Sequence, residues 1–365
     1  MPISAIDSIS PAFHHAKQQL SEPFQFGQWA RLALVGLLAG ELASGGCNTN
    51  FQVPTRTSGT GHFAAAVPLI RSNPVLYAAL IGLLIFAGVV LWLLFIYLNS
   101  VFRFILFDSI VERRCEIRRL WARRQQAKLR YFAWQLLLAL AGMAGLTILI
   151  GIPAALVLAA GWLRQPKQHI VALVLGGMVV FLAIFLFALC WLLVHVLTKD
   201  FVVPPMALED VSAIEGWRRL WPMLKAEKGG YAGYLGMKIV MALGAAMVVG
   251  IAATLIILIV FIPVGGLGAV AVLTAKAAGL KWDLYTITLV IIVGTFLLAG
   301  VLYLISFVSV PTTVFFPAYA LYFFAARYPR LDALLHPASA VVPEAPASEP
   351  PPQPPLLPPA PEAIG

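Results

Sequence analysis

The stretch Ser109–Arg130, SIVERRCEIRRLWARRQQAKLR, is the most basic part of the chain, and apolar sequence flanks it on both sides. Its centre, Arg118-Arg119-Leu120-Trp121, recurs as Arg218-Arg219-Leu220-Trp221, one hundred positions later. A tyrosine follows each copy, Tyr131 and Tyr231, and opens a further apolar run. Leu106, Ile110, Ile117 and Trp121 recur near helical spacing, while Arg113, Arg114, Arg118, Arg119, Arg123, Arg124, Lys128 and Arg130 fill the remaining positions. The pattern predicts a helix lying on a bilayer with its cations toward anionic headgroups. In the second copy Ser212 with Glu215 reads as a capping box, Gly229-Gly230 as a stop, and Val211, Ile214, Trp217, Trp221 and Leu224 as one apolar side.

Working outward, the chain has 365 residues, of which 61% are hydrophobic and 11% charged. A soluble domain carries roughly a quarter charged residues. So much apolar surface requires the bilayer as solvent, and several runs reach the roughly 20 residues a crossing helix needs. The predicted spans are Trp29–Ser44, Pro74–Leu98, Tyr131–Trp162, His169–Leu197, Tyr231–Pro263 and Leu284–Val310. The expected fold class is all-α: a polytopic membrane protein of about six transmembrane helices, with two parallel repeats and interfacial amphipathic helices. The repeats fall near residues 74–162 and 169–263.

Three regions are expected. Residues 1–28 form an interfacial amphipathic segment, with Ser10 as N-cap, Pro11 at the first helical position, and Phe13, Ala16 and Leu20 on one face. Residues 29–330 form the integral membrane domain. Within it, Gly36, Gly40 and Ser44 form a small-residue stripe. Gly45–Asn73 and Val264–Asp283 read as external loops, and Leu163–Gln168 as a tight turn. Thr312–Phe324, interrupted by Pro317, is short for a crossing and is expected at the interface. Residues 331–365 read as a disordered proline-rich tail with P-x-x-P spacing at Pro351, Pro354 and Pro358.

The formal net charge of +9 is concentrated between spans, so it speaks of topology rather than nucleic acid. The positive-inside rule then places both termini and both basic segments on the cytoplasmic side of a prokaryotic inner membrane. No cleaved signal peptide is expected. Cys47, Cys115 and Cys190 fall in three different environments, which excludes a disulfide framework within the chain.

No chemistry-bearing motif is present. The six histidines, His14, His15, His62, His169, His195 and His336, are scattered, and no metal-ligand spacing, nucleophile elbow or phosphate loop occurs. The expectation is a non-enzymatic membrane component without metal or cofactor. Its partners are anionic membrane lipids or another membrane protein, engaged through Arg118, Arg119, Trp121, Arg218, Arg219 and Trp221. The alternative is a carrier or flippase-like transporter of a lipid or small solute. An enzyme acting on headgroups would have to use Glu41, Asp108 or Glu209–Asp210. Ionisable residues within spans are functional candidates. Here these are Glu41, expected at the outer boundary within reach of water, and Lys238, expected to snorkel; Gln135 is its counterpart in the other repeat. No charge is expected deep within a span.

The stretches IDSISPAFHHAKQQLSEPFQFGQWARL, FRFILFDSIVERRCEIRRLW and FVVPPMALEDVSAIEGWRRLW resemble a family of uncharacterised prokaryotic multi-pass membrane proteins. The resemblance covers roughly residues 3–330 and implies an architecture without an assigned activity. More distantly, the second copy is similar to the membrane domain found beside glycerophosphodiester phosphodiesterases. The catalytic domain of those enzymes has no counterpart here, so their chemistry does not follow.

Overall fold

The computed structural model describes residues 4–22, 24–41, 74–162, 167–277 and 284–336. The expected loop 45–73, the turn residues 163–166 and the proline-rich segment beyond 336 lie outside the described residues. The order is α1 (Ile9–Ser21), α2 (Phe26–Leu38), α3 (Pro74–Val111), α4 (Ile117–Ala122), α5 (Gln125–Ala159) and α6 (Ile170–Leu197). A π-helical turn (Thr198–Val202) leads into α7 (Val203–Glu209), α8 (Ala213–Ala226), α9 (Lys228–Ala277), α10 (Leu284–Val308), α11 (Val310–Ala325) and α12 (Pro329–Leu335). The protein is an all-α polytopic membrane fold, and no strand occurs among the described residues.

Among the described residues five helices are long and apolar enough to cross a bilayer, with spans at Ile81–Val111, Gln125–Ala159, Ile170–Glu209, Lys228–Val260 and Thr288–Val308. The sixth expected span shrinks to α2, which covers 13 residues. It stops where Gly40 takes a left-handed φ of +72°, a conformation glycine adopts without steric cost. Of the expected small-residue stripe, Gly36 makes a close approach: a Cβ there would lie 2.5 Å from Thr313 Cγ2 of α11. Ser44 lies outside the described residues.

The long helices run up and down, and their inner ends converge. Burial is concentrated at residues 97–131, 197–235 and 305–335, together with α1 and α2, while the outer lengths of α3, α5, α6, α9 and α10 are exposed apolar surface. The molecule therefore has a packed end and an apolar end.

The centre of the packed end is α11, not the basic stretch. Val310, Val314, Tyr319, Phe323 and Phe324 are fully or almost fully buried. Phe201, Tyr231, Tyr234, Tyr319, Phe323 and Phe324 form a continuous ring cluster with centroids 4.7–5.9 Å apart. The expectation of an interfacial piece at Thr312–Phe324 is thus replaced by a core helix. Proline shapes its entry. Pro311 has no N–H for the Phe307 carbonyl four residues back, and Trp29 Nε1 donates to that carbonyl instead, at 2.8 Å.

Several expected boundaries move for physical reasons. Ser109–Arg130 is not one surface helix. α3 carries on to Val111, Arg113 and Arg124 adopt left-handed φ values of 55° and 59°, and the helix between them, α4, is only six residues long. Burial of Ile110, Cys115, Leu120 and Ala127 draws the stretch into the core. Lys128, expected toward headgroups, is buried; its Nζ donates to the Leu120 and Trp121 carbonyls at 2.9 and 2.8 Å, closing the orphaned end of α4.

In the second copy Ser212 does cap α8, accepting from the Glu215 N–H at 3.3 Å. The buried side, however, is Ala213, Gly216 and Leu220, with Ile214 and Trp221 outward. Gly229-Gly230 lie within α9, which also passes through Pro263 to Ala277, so part of the expected external loop is helical.

α1 starts at Ile9 rather than Pro11 and buries Ala12, His15, Ala16, Gln19 and Leu20 against α11, leaving Phe13 outside. Residues 331–336, the start of the expected tail, are structured: α12 anchors Leu331 and Leu335 in the core.

Candidate functional site

Where the packed end meets the apolar end, a cluster of buried charges joins distant parts of the chain. Glu41, at the end of α2, is 3% exposed. Its Oε1 accepts from Arg103 Nη1 of α3, and its Oε2 from Lys199 Nζ of the π turn. Arg103 Nη2 also donates to the Ala39 carbonyl at 2.7 Å. Next to Lys199, Asp200 Oδ2 accepts from Tyr234 Oη at 3.0 Å and from Lys238 Nζ, both on α9. Paired and hydrogen-bonded, these groups satisfy the condition for placing charge away from water.

Local sequence explains the π turn. Pro204 and Pro205 lack the N–H groups that would bond the carbonyls of Asp200 and Phe201 in an α-helix, and their rings crowd those carbonyls. The turn widens, and Val203 N–H closes on the Thr198 carbonyl. Such wide turns are frequent at functional sites. This one sets Lys199 and Asp200 side by side, facing Glu41 and Lys238.

Above the cluster lies a cavity of 760 Å³ between α3, α5, α6 and α9. Asn99, Arg103, Gln135, His195, Lys199 and Lys238 supply its polar wall. Phe95, Ile96, Leu189, Leu192 and Leu193 supply its apolar wall. Gln135 Nε2 donates to Tyr131 Oη at 2.9 Å. Gln135 and Lys238, expected as counterparts in the two repeats, both line this cavity.

Two expectations are corrected here. Glu41 is not at a wet boundary but buried between two cations. Lys238 does not snorkel; it pairs with Asp200. Sequence reasoning missed Arg103, Lys199 and Asp200, although the Lys-Asp pair directly before Phe-Val-Val-Pro-Pro, at the end of an apolar run, was a usable signal.

The basic motifs lie elsewhere, on the surface of the packed end. In both copies the leucine is buried, Leu120 at 1% and Leu220 at 2%, while Trp121 and Trp221 are 36% and 52% exposed. Arg118, Arg119 and Arg218 are exposed too. Arg118 and Arg119 share a groove with Arg31, Glu116 and Ile117. Arg219 differs: it is half-buried and pairs with Glu209 at 2.6 Å and Glu215 at 3.2 Å. Glu209 also accepts from Tyr328 Oη and pairs with Arg330, which ties α12 to α7 and α8. Arg327 clamps Glu227 with two hydrogen bonds of 2.7 Å, and these hold the Glu227 carboxyl below its ordinary range.

The headgroup-enzyme candidates are committed elsewhere: Asp108 is buried against Arg124 at 3.2 Å, and Glu209 is held as described. Among the described residues no group of three or more His, Cys, Asp or Glu side chains could hold a metal ion.

No curated protein and no solved structure matches the chain, so neither supports the distant likeness to the phosphodiesterase membrane domain. A family model described as a family of unknown function (DUF7544) matches residues 3–334, and the chain belongs to that family.

Proposed function

From membership in a family of unknown function and from the five long apolar helices, we propose that this protein is a non-enzymatic membrane component that binds anionic lipid at one leaflet. One observation carries the reading. Both Arg-Arg-Leu-Trp copies hold their leucine inward and present tryptophan and arginine outward on the same end of the molecule. Tryptophan beside arginine suits the headgroup level, where an indole meets acyl chains and a guanidinium meets phosphate. Phe24 and Phe26, 60% and 67% exposed beside Trp29, add aromatic surface at that end.

The packed end is read as cytoplasmic in a prokaryotic inner membrane, because the arginine-rich segments gather there. α1 and α12 lie at that end as well, in keeping with both termini on one side. The parallel-repeat reading is supported by matched geometry. Phe104–Tyr131 and Phe201–Tyr231 are T-shaped ring pairs at 5.7 and 5.2 Å, and Arg113 and Asp210 both take left-handed φ before the motif. The carrier reading is favoured by a different observation, the buried charge cluster beneath a cavity, since moving a charged cargo calls for ionisable groups within the bilayer.

The test of the surface reading is sedimentation of the purified protein, in neutral nanodiscs, with vesicles of phosphatidylglycerol and phosphatidylcholine. The triple variant Arg118→Gln, Arg119→Gln, Arg218→Gln spares the structurally engaged Arg219. It should lose about 3 kcal/mol of vesicle affinity at low salt, at about 1 kcal/mol per surface cation. Unchanged binding would refute the surface reading.

A further inference from the structure

The cavity at the junction raises a separate question, because its two walls differ in chemistry. Its floor carries Arg103, Lys199 and Lys238 against Glu41 and Asp200, which among the described residues leaves one positive charge in excess. Arg103 is 6% exposed, and its Nε–H has no hydrogen-bond partner. An excess cation away from water is costly unless an anion joins it. The opposite wall is apolar. Phe95, Leu189, Leu192 and Ile239 line the cavity yet are 54–60% exposed, so the cavity opens onto the lipid-facing surface of the long helices.

We infer that this cavity binds one anionic amphiphile: an acyl chain ending in a carboxylate or phosphate, with the head on Lys199, Lys238 and Arg103 and the chain along Phe95, Leu189 and Leu192. Charge complementarity selects an anion over a neutral or cationic head. The apolar wall selects a molecule with a chain over a free anion, which would leave that wall empty. A volume of 760 Å³ falls in the roughly 300–1,000 Å³ range of sites that enclose small molecules. Asn99, Gln135 and His195 add further polar groups around the head position. This site is distinct from the Arg-Trp surface and stands or falls without it.

The experiment uses the full chain in phosphatidylcholine nanodiscs, titrated with oleate, with oleyl alcohol and with inorganic phosphate, read by native mass spectrometry and by thermal shift. The expected result is one oleate per chain, with oleyl alcohol at least about tenfold weaker, the worth of one charge-assisted contact, and phosphate weaker by at least as much because it leaves the apolar wall empty. Oleyl alcohol binding as well as oleate would overturn the assignment, because the charge would not be read. Phosphate binding as well as oleate would overturn it too, in favour of a bare anion site. Lys238→Met should weaken oleate about tenfold. Leu192→Trp, on the lipid-facing wall and outside the ion pairs, should block the chain while leaving the charge cluster intact, so it decides the matter if Lys238→Met does not fold. Oleate binding unchanged in Leu192→Trp would overturn the proposal. The triple arginine variant of the surface motifs should bind oleate like the parent, which separates this site from the surface reading.

Discussion

Two apolar helices of this chain meet opposite fates. α6 is 28 residues long, about 42 Å at the usual helical rise, and leucine, valine and phenylalanine cover it on all sides. It buries only its last residue, Leu197. α11 has 16 residues, about 24 Å, and is buried along nearly its whole length. Apolar character alone does not separate them. What separates them is the alternation in α11 of small residues with rings (Ala318-Tyr319-Ala320, then Phe323-Phe324-Ala325), which lets neighbouring helices approach and stack. α6 lays Phe187 and Trp191 against Gly145 and Gly142 of α5 but otherwise turns large apolar side chains outward, where acyl chains contact them as well as side chains do. The packed end is held by aromatic and ionic pairing; the apolar end is held by the bilayer.

The comparison is most directly broken by side-chain deletions at its two ends. Phe323→Ala removes a fully buried ring shared by Phe201, Tyr231 and Tyr234, and should cost about 3–5 kcal/mol. Thermal unfolding in detergent would show it. Glu41→Ala, at the junction, strips the shared counter-charge from Arg103 and Lys199 and should cost a similar 3–5 kcal/mol or so. The double change Glu41→Ala, Arg103→Leu should then recover part of the loss, and no recovery would argue against the pairing.

Gly36→Leu drives a side chain into Thr313, where α2 crosses α11, and should cost about 1–3 kcal/mol in the same assay. Smaller still is a pH effect at His15. Its Nδ1 lies 3.2 Å from Tyr322 Oη and its Nε2 2.9 Å from the Ile110 carbonyl, so the neutral ring accepts from the tyrosine and donates to the carbonyl. Burial, with Arg113 nearby, lowers its pKa from the ordinary 6.5. The unfolded chain then binds the proton first. Stability should fall as pH drops below about 6.5 and level off once the folded histidine also protonates. His15→Gln should flatten that slope between pH 7 and pH 5. At the bottom of the scale, Phe181→Ala, at a position 70% exposed on α6, should change stability by no more than about 0.5 kcal/mol. A loss there as large as at Phe323 would dissolve the contrast.

Much of this was legible in the sequence, and the reasons for the rest are specific. The membrane class, the centres of the long spans and the Ser212 cap follow from composition and local chemistry, which act within a turn or two. Gln135 and Lys238 share a cavity, but the hundred-residue offset of the basic copies sets Gln135 opposite Leu235, so register alone does not match them. α11 was misread because a short apolar run broken by Pro317 looks the same whether it lies on a membrane or inside a protein. The junction was missed because its partners are far apart: Glu41 and Lys199 are separated by 158 positions, and only the fold brings them together. The broken course of Ser109–Arg130 was hidden because arginines can take left-handed backbone geometry, as Arg113 and Arg124 do, without announcing it in composition.

The division into a packed end and a lipid-bathed end is tested most directly by spin labels at Leu182 and Trp121, on a chain whose cysteines at 47, 115 and 190 are replaced. In proteoliposomes, power saturation should give the Leu182 label high accessibility to oxygen and almost none to a water-soluble nickel chelate. The Trp121 label should be open to the chelate. A Leu182 label that the chelate reaches as readily as it reaches Trp121 would contradict the account.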